Sequence, residues 1–366
     1  RVLDPHTYYV ANYAPFNIFN ELDNNYIDLN VLDAKFQFEL KYKPIKGLEL
    51  AALGAFKYAA TSQEHKIMEN SNQALTYRAM PNSIIRNSNR YLYRDPDHPY
   101  DLPMTVLPIG GVYHKNENRM SNYDFRTTAT YTHTFDQKHT INLFGGAEAT
   151  DLQRTRTGFE GWGMQYNSGE VPFYIYQYLK KGIEDSKNYY SLTNTNWRSV
   201  AFYTNMSCSY RGRYVFNGTY RYEGSSQMGR NSNARWMSTW NLSGAWNLHE
   251  EDFFYRLRPL SRFTLRASYS LTGTPPDPSY SSSTTVFSAG NPFRIYGEDR
   301  EPVIGISQVG NHTLTYEKKN EFNLGFDAGL WQNRIGVTFD VYSRNNFDEM
   351  GIMVTQGLAG EVERAA

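Results

Sequence analysis

One cysteine, Cys208, stands in 366 residues, which excludes a disulfide framework and a cysteine-based metal site. No run of about eighteen apolar residues occurs, so no membrane-spanning helix is expected. Charge balances at 37 basic against 37 acidic side chains. With no basic excess to neutralise phosphates, a nucleic-acid partner is not expected either. The eight histidines are scattered, with no His-Glu-x-x-His pattern suited to zinc. Neither a Gly-x-Ser-x-Gly elbow nor an identifiable pair of catalytic carboxylates is present. No motif points to catalysis or to a cofactor, and the first expectation is a protein that is not an enzyme and carries none. The opening RVLDPHTYYV has no basic-then-apolar leader, and the chain reads as an excerpt of something longer.

What is abundant is two-residue alternation. In RYVFNGTYRYEGSS, Tyr214, Phe216, Gly218, Tyr220 and Tyr222 oppose Val215, Asn217, Thr219, Arg221 and Glu223. That period belongs to a β-strand with two unlike faces. The pattern recurs in LDAKFQFELKY, YDFRTTATYT, VAFYTNMSCSY, FTLRASYSL, EFNLGFDAGL and RIGVTFDVYSR. About ten strands are expected, near 29–43, 47–64, 112–134, 138–156, 188–211, 213–225, 233–248, 261–273, 311–330 and 333–348. Cys208 falls on the apolar phase of its strand and reads as a small filler. Asn205 and Asn217 head Asn-x-Ser/Thr triplets but lie mid-strand, where glycosylation is not expected.

Two architectures fit such strands. In a soluble sandwich the apolar phase is a core; in an outer-membrane barrel it meets lipid and the polar phase lines a wet lumen. Aromatic residues at 16 %, with 30 Tyr, suit either. Two features favour the barrel. Charges fill the polar phase while the apolar phase stays nearly clean, as a lipid face requires when a buried charge costs roughly 2–4 kcal/mol. Short connections (43–47, 136–138, 211–213, 331–334) also alternate with long ones near 65–111, 157–187 and 274–310, plus a shorter one at 226–232. Short turns on one rim and long loops on the other mark an outer-membrane barrel. The connection NLHEEDFFYRLRPLSR (247–262) has room for one helical turn, from His249 to Asp252, expected at the periplasmic rim beside a plug. The fold class expected is all-β, an antiparallel transmembrane β-barrel segment.

Several strand ends, taken in order, resemble the SusC/RagA family of TonB-linked outer-membrane transporters. Tyr222-Glu223-Gly224-Ser225-Ser226 is similar to the family's Arg-Asp-Gly-Ser-Ser. Ser268-Tyr269-Ser270-Leu271-Thr272-Gly273 is similar to Ser-Tyr-Gly-x-Thr-Gly. Tyr316-Glu317 followed by Asn323-Leu324-Gly325-Phe326-Asp327 is similar to the Trp-Glu…Asn-x-Gly-x-Asp hairpin, with Tyr for Trp. The resemblance is densest from about Arg198 to Met350. It implies a 22-stranded barrel filled by a plug, energy delivered through TonB, a SusD-like surface lipoprotein as lid, and import of an oligosaccharide or a peptide. The whole of 1–366 would then be part of that barrel domain in the bacterial outer membrane, surrounded by lipid, without plug, TonB box or signal peptide. The alternatives are a secreted β-sandwich that binds or hydrolyses carbohydrate, and a passive porin-like channel.

Three sets of residues are candidates for function. Asp124, Arg126, Arg221, Glu223, Asp327, Asp340 and Arg344 occupy the polar phase and are expected to face the lumen, where they pair across strands, meet a plug or touch cargo. Trp162, Tyr166, Tyr174, Tyr176 and Tyr280 fall in the long loops, where rings stack on cargo, meet a lid protein or pack the loops themselves. Asp95, Asp97 and Asp101 in DPDHPYD offer oxygen ligands for calcium, set against a rigid proline-bounded surface turn.

Overall fold

The computed structural model describes residues 4–185, 187–226, 235–257, 259–274, 286–290, 303–308, 315–349, 352–354 and 363–365. Ten strands form one sheet: β1 (Asn25–Ile45), β2 (Leu48–Ile67), β3 (Gly111–Phe135), β4 (His139–Met164), β5 (Tyr190–Tyr210), β6 (Tyr214–Ser225), β7 (Trp236–Asn247), β8 (Leu260–Thr274), β9 (Glu317–Leu330) and β10 (Ile335–Phe347). Each pairs only with its sequence neighbours, so the sheet is a meander. The register of β5 to β10 is antiparallel, with Phe202 opposite Tyr222, Leu265 opposite Phe326 and Asp327 opposite Thr338. Residues directly opposite share a face, so the alternation in each strand adds up to two continuous, unlike surfaces.

The tight connections explain that register. Asp136 and Gln137 (φ 49° and 56°) turn β3 into β4, and Arg211 and Gly212 (φ 51° and 70°) turn β5 into β6. Two consecutive left-handed residues make a mirror-image type I turn, whose twist matches that of the flanking strands. Lys138 N–H donates to the Phe135 carbonyl at 3.0 Å and Arg213 N–H to the Tyr210 carbonyl at 2.9 Å, closing both turns.

β1 to β4 and β8 run longer than their sequence pattern suggests, and the other five strands somewhat shorter. β4 reaches Met164, eight residues past the expected end at 156, through the glycine-rich TGFEGWGM that reads as loop. The expected excursion at 65–111 contains two short helices, α1 (Asn72–Thr76) and α2 (Ser83–Ser88), and the one at 157–187 contains α3 (Tyr176–Glu184). In place of one turn over His249–Asp252 there are two 3₁₀ turns, Leu248–Glu250 and Phe254–Arg256. Residues 227–232, 275–285 and 291–302 of the remaining long connections lie outside the described residues.

The chain divides into two compact units. The first (1–35, 57–122 and 153–196) owns a hydrophobic core of Ile67, Ala74, Tyr93, Val106, Leu107, Val112 and Trp162. Asparagine side chains tie its loops together. The Asn72 amide donates to the carbonyls of Ala11, Ala14 and Pro15, and the Asn89 amide to those of Thr76 and Ala79. The second unit (36–56, 123–152 and 197–366) holds the wall strands β5 to β10 in large part and the middle of β1 to β4. Its apolar phase lies open: Phe36 is 68 % exposed, Phe202 51 % and Phe339 53 %. A sandwich would bury those rings against a second sheet; among the described residues none covers them.

Candidate functional site

The polar phase of the wall carries a network of opposite charges. Glu148 on β4 receives two guanidinium groups, Arg126 of β3 at 3.1 Å and Arg221 of β6 at 2.6 Å. Arg221 also donates through Nε to Glu223 at 2.7 Å. A second cluster centres on Arg266 of β8, whose Nε lies 2.9 Å from Asp327 and whose Nη2 lies 3.4 Å from Asp340. Arg344 pairs with Glu321 at 2.9 Å, and Asp124 accepts from the Thr150 hydroxyl at 2.8 Å. All seven polar-phase candidates thus make cross-strand or same-strand contacts on this face. Glu148, Arg266 and Glu321 were not singled out beforehand. The signal was available, since each holds the polar parity of its strand. The paired side chains are 23–55 % exposed, so each pair contributes no more than about 1 kcal/mol to stability. Together these groups set four guanidinium groups against six carboxylates on one face.

The opposite phase is built for another solvent. At the tight-turn ends, rings run in a row across four strands: His139 to Tyr210 at 4.6 Å, Tyr210 to Tyr214 at 6.4 Å and Tyr214 to Trp246 at 6.1 Å. Toward the other end of β6, Tyr222 stacks on Trp236 at 5.0 Å. From Tyr214 to Tyr222 is eight residues, about 26 Å along the strand, or ~20 Å of height at the usual barrel tilt. That approximates the apolar band of an outer-membrane barrel between its aromatic girdles. Between the belts this phase of β5 and β6 presents Phe216, Gly218, Tyr220, Thr204, Met206 and Cys208, and no charge.

In the first unit the loop candidates part company. Trp162 is buried, 6 % exposed. Its ring stacks on Tyr178 at 4.6 Å, meets Tyr77 edge-on at 5.2 Å, and its Nε1 donates to the Val106 carbonyl at 2.6 Å. Little of that ring is left exposed. Tyr166 is half-buried and donates its hydroxyl to the Val112 carbonyl at 2.9 Å. Tyr174 and Tyr176 are exposed, the second at 72 %. Tyr280 lies outside the described residues.

The acidic turn is occupied by a cation of the chain itself. Lys180, on α3, reaches Asp95 and lies 2.5 Å from Asp97. Its hydrogen bond holds the Asp95 carboxyl down at about 2, and the same contact raises Lys180. Asp101 is exposed, and its N–H donates to the His98 carbonyl at 3.0 Å. A calcium ion would have to displace Lys180 to gain Asp95 and Asp97. Among the described residues no three His, Cys, Asp or Glu side chains converge on a metal position.

With this geometry in view, the likenesses are informative. Residues 4–357 match the family described as TonB dependent receptor-like, beta-barrel. TonB-dependent receptor P3 of Formosa agariphila is 26 % identical over 249 residues, covering 66 % of this chain and 23 % of that protein. TonB-dependent receptor SusC of Bacteroides thetaiotaomicron is 27 % identical over 150 residues, covering 41 % of this chain and 15 % of that one. The chain therefore spans about a quarter or less of the curated relatives it matches. In three dimensions it aligns with the RagAB peptide importer in its open-open state at a TM-score of 0.71 and 18 % identity, over 96 % of this chain and 34 % of that one, which establishes a shared fold. No helix among the described residues is long and apolar enough to cross a membrane, and strands do the crossing in such a fold. The chain belongs to the TonB-dependent receptor β-barrel family of the outer membrane, with its likenesses on the SusC and RagA side.

Proposed function

We propose that this chain is the wall and loop portion of an active importer that brings oligosaccharides or peptides across the outer membrane. Energy comes from TonB, and a SusD-like lipoprotein covers the loops from outside. The observation that carries this reading is the pairing of a clean ring-belted face with a face of matched charges on one meander, in a chain of this family. One face needs lipid and the other needs water, so the sheet separates two solvents. SusC and the RagAB peptide importer, named for their own roles, supply the two cargo classes. In this reading the whole of 1–366 is barrel. Asp124, Arg126, Arg221, Glu223, Asp327, Asp340 and Arg344 line the passage, while Tyr174 and Tyr176 are the rings placed to meet cargo or lid.

The test is uptake in the native bacterium. Deleting the gene should abolish accumulation of a fluorescent oligosaccharide or peptide, and deleting TonB should have the same effect. Uptake that persists without TonB would make the protein a passive channel, and uptake unaffected by the gene deletion would remove the importer reading.

A further inference from the structure

Two arginines on the charged phase of β4 stand apart from the ion pairs. Arg154 and Arg156 lie an even number of residues from Glu148 and from Glu160, and so share their face. Beyond Ser121 the outward phase of β3 carries Lys115, Glu117 and Arg119 in place of Tyr123 and Phe125, so this stretch of wall stands clear of lipid. Side-chain contacts fix what surrounds the two arginines. Arg154 Nη2 donates to the Met120 sulfur at 3.6 Å, and the Thr195 hydroxyl donates to the Arg154 carbonyl at 3.5 Å. Four residues on, Gly158 lies against the Ser191 and Asn116 side chains. Arg156 falls midway between these positions, so Asn118 on β3 and Thr193 on β5 flank it.

All of those neighbours are neutral. Neither guanidinium has a carboxylate partner among the described residues, and the Nε of Arg154 is buried without a hydrogen-bond partner. The nearest acids on the same phase of β4 are engaged elsewhere: Glu148 holds Arg126 and Arg221, and Glu160 holds His114 and the Tyr178 hydroxyl. Farther along the sheet Arg266 and Arg344 also sit against carboxylates. A buried donor left unpaired costs more than an ordinary hydrogen bond returns, so Arg154 gains most from an acceptor with a charge. The guanidinium fork matches a carboxylate in shape as well as in sign. We propose that Arg154 and Arg156 form a subsite for one carboxylate carried by the cargo, with Asn118 and Thr193 as neutral partners beside it. The inference rests on the importer reading and adds to it the sign of charge that the passage selects.

The test uses the full-length protein purified in detergent, titrated calorimetrically with two matched pairs of probes. One pair is acetyl-Gly-Asp-Gly-Gly-amide and its Asn counterpart; the other is trigalacturonate and its methyl ester. Charge-assisted hydrogen bonds should make the acidic member of one pair bind roughly ten- to a hundredfold tighter, and that pair identifies the carrier of the carboxylate. Arg154→Gln combined with Arg156→Gln should cut the preference below about twofold. Arg156→Gln alone, at an exposed position, should cut it several-fold with thermal unfolding unchanged. Arg119→Gln, on the outward phase and paired with Glu117 at 2.9 Å, should leave it intact. No acidic preference in either pair overturns the proposal. So does a preference that the double variant keeps, since the arginines would then serve only the fold. Uptake in cells is scored separately. A protein that prefers the acidic probe while its deletion leaves uptake intact sinks the importer reading and spares the subsite; the reverse result sinks the subsite alone.

Discussion

Met206 offers the sharpest test of a wall between two solvents. It lies on β5, four residues from Tyr210 in the lower ring belt and four from Phe202, and opposite Gly218, which is midway between Tyr214 and Tyr222. Four residues are about 13 Å of strand, or ~10 Å of height at the usual tilt, which places Met206 near the centre of the apolar band. An arginine there should cost roughly 2–4 kcal/mol, a factor of about thirty to a thousand in the folding equilibrium. Asn205 is its chain neighbour with opposite parity, paired with Thr219 on the charged face. Asn205→Arg should stay within about 0.5 kcal/mol, because that side chain remains wet. The assay is guanidinium-induced unfolding of the full-length protein refolded into phosphatidylcholine bilayers, comparing both variants with the parent. Equal costs would refute the assignment of unlike solvents to the two faces. A costly Asn205→Arg beside a silent Met206→Arg would turn the wall inside out.

Three further outcomes are expected. A double-mutant cycle on Arg221→Ala and Glu148→Ala should give a coupling of no more than about 1 kcal/mol, as for other partly exposed pairs; a value above ~3 kcal/mol would mean that this face is sealed from water. Trp162→Phe keeps the stacked ring but removes the donor to the Val106 carbonyl, so urea unfolding should show a loss of about 1–3 kcal/mol, and an unchanged midpoint would show that water replaces the indole. The Asp95–Lys180 clasp has a defined pH window. Asp95, held down to about 2, contributes fully above its ordinary value near 4 and loses that contribution as pH falls through 2. Lys180, raised, contributes fully below its ordinary value near 10.4 and loses it only at higher pH. Hydrogen exchange at the His98 and Asp101 amides, corrected for intrinsic rates, should therefore stay flat from about pH 4 to 10, and a transition centred near pH 4 would show that Lys180 does not hold the carboxylate.

The strands were legible because a sheet writes its two faces into every second residue. Along the wall, from Phe36 on β1 to Arg344 on β10, the parity of a side chain gives its face of the sheet without any knowledge of its partners, whereas Ile67, Val112 and Trp162 near the strand ends are buried in the loop-layer core. The same parity pointed to Arg126, Arg221 and Asp340, yet it could not say that Glu148 joins two of the arginines, since those partners lie 22 and 73 residues away. The loop layer was opaque for a related reason. Trp162, Tyr178 and Tyr77 form one stack from three separate segments, and Asp95 meets Lys180 across 85 residues. No local period announces such meetings. The overrun of β4 through TGFEGWGM has its own cause: neighbouring strands supply hydrogen bonds that outweigh the poor strand propensity of glycine.

A meander in which every strand meets only its predecessor and successor has a kinetic corollary. No seam among the ten strands skips a strand, so the wall can form hairpin by hairpin. β1 to β2, β3 to β4, β5 to β6 and β9 to β10 turn on connections of two to four residues whose closure entropy is small, and β7 to β8 on residues 248–259. Long excursions at the opposite rim then affect only the wait between one hairpin and the next, and their length can drift without disturbing the register already zipped.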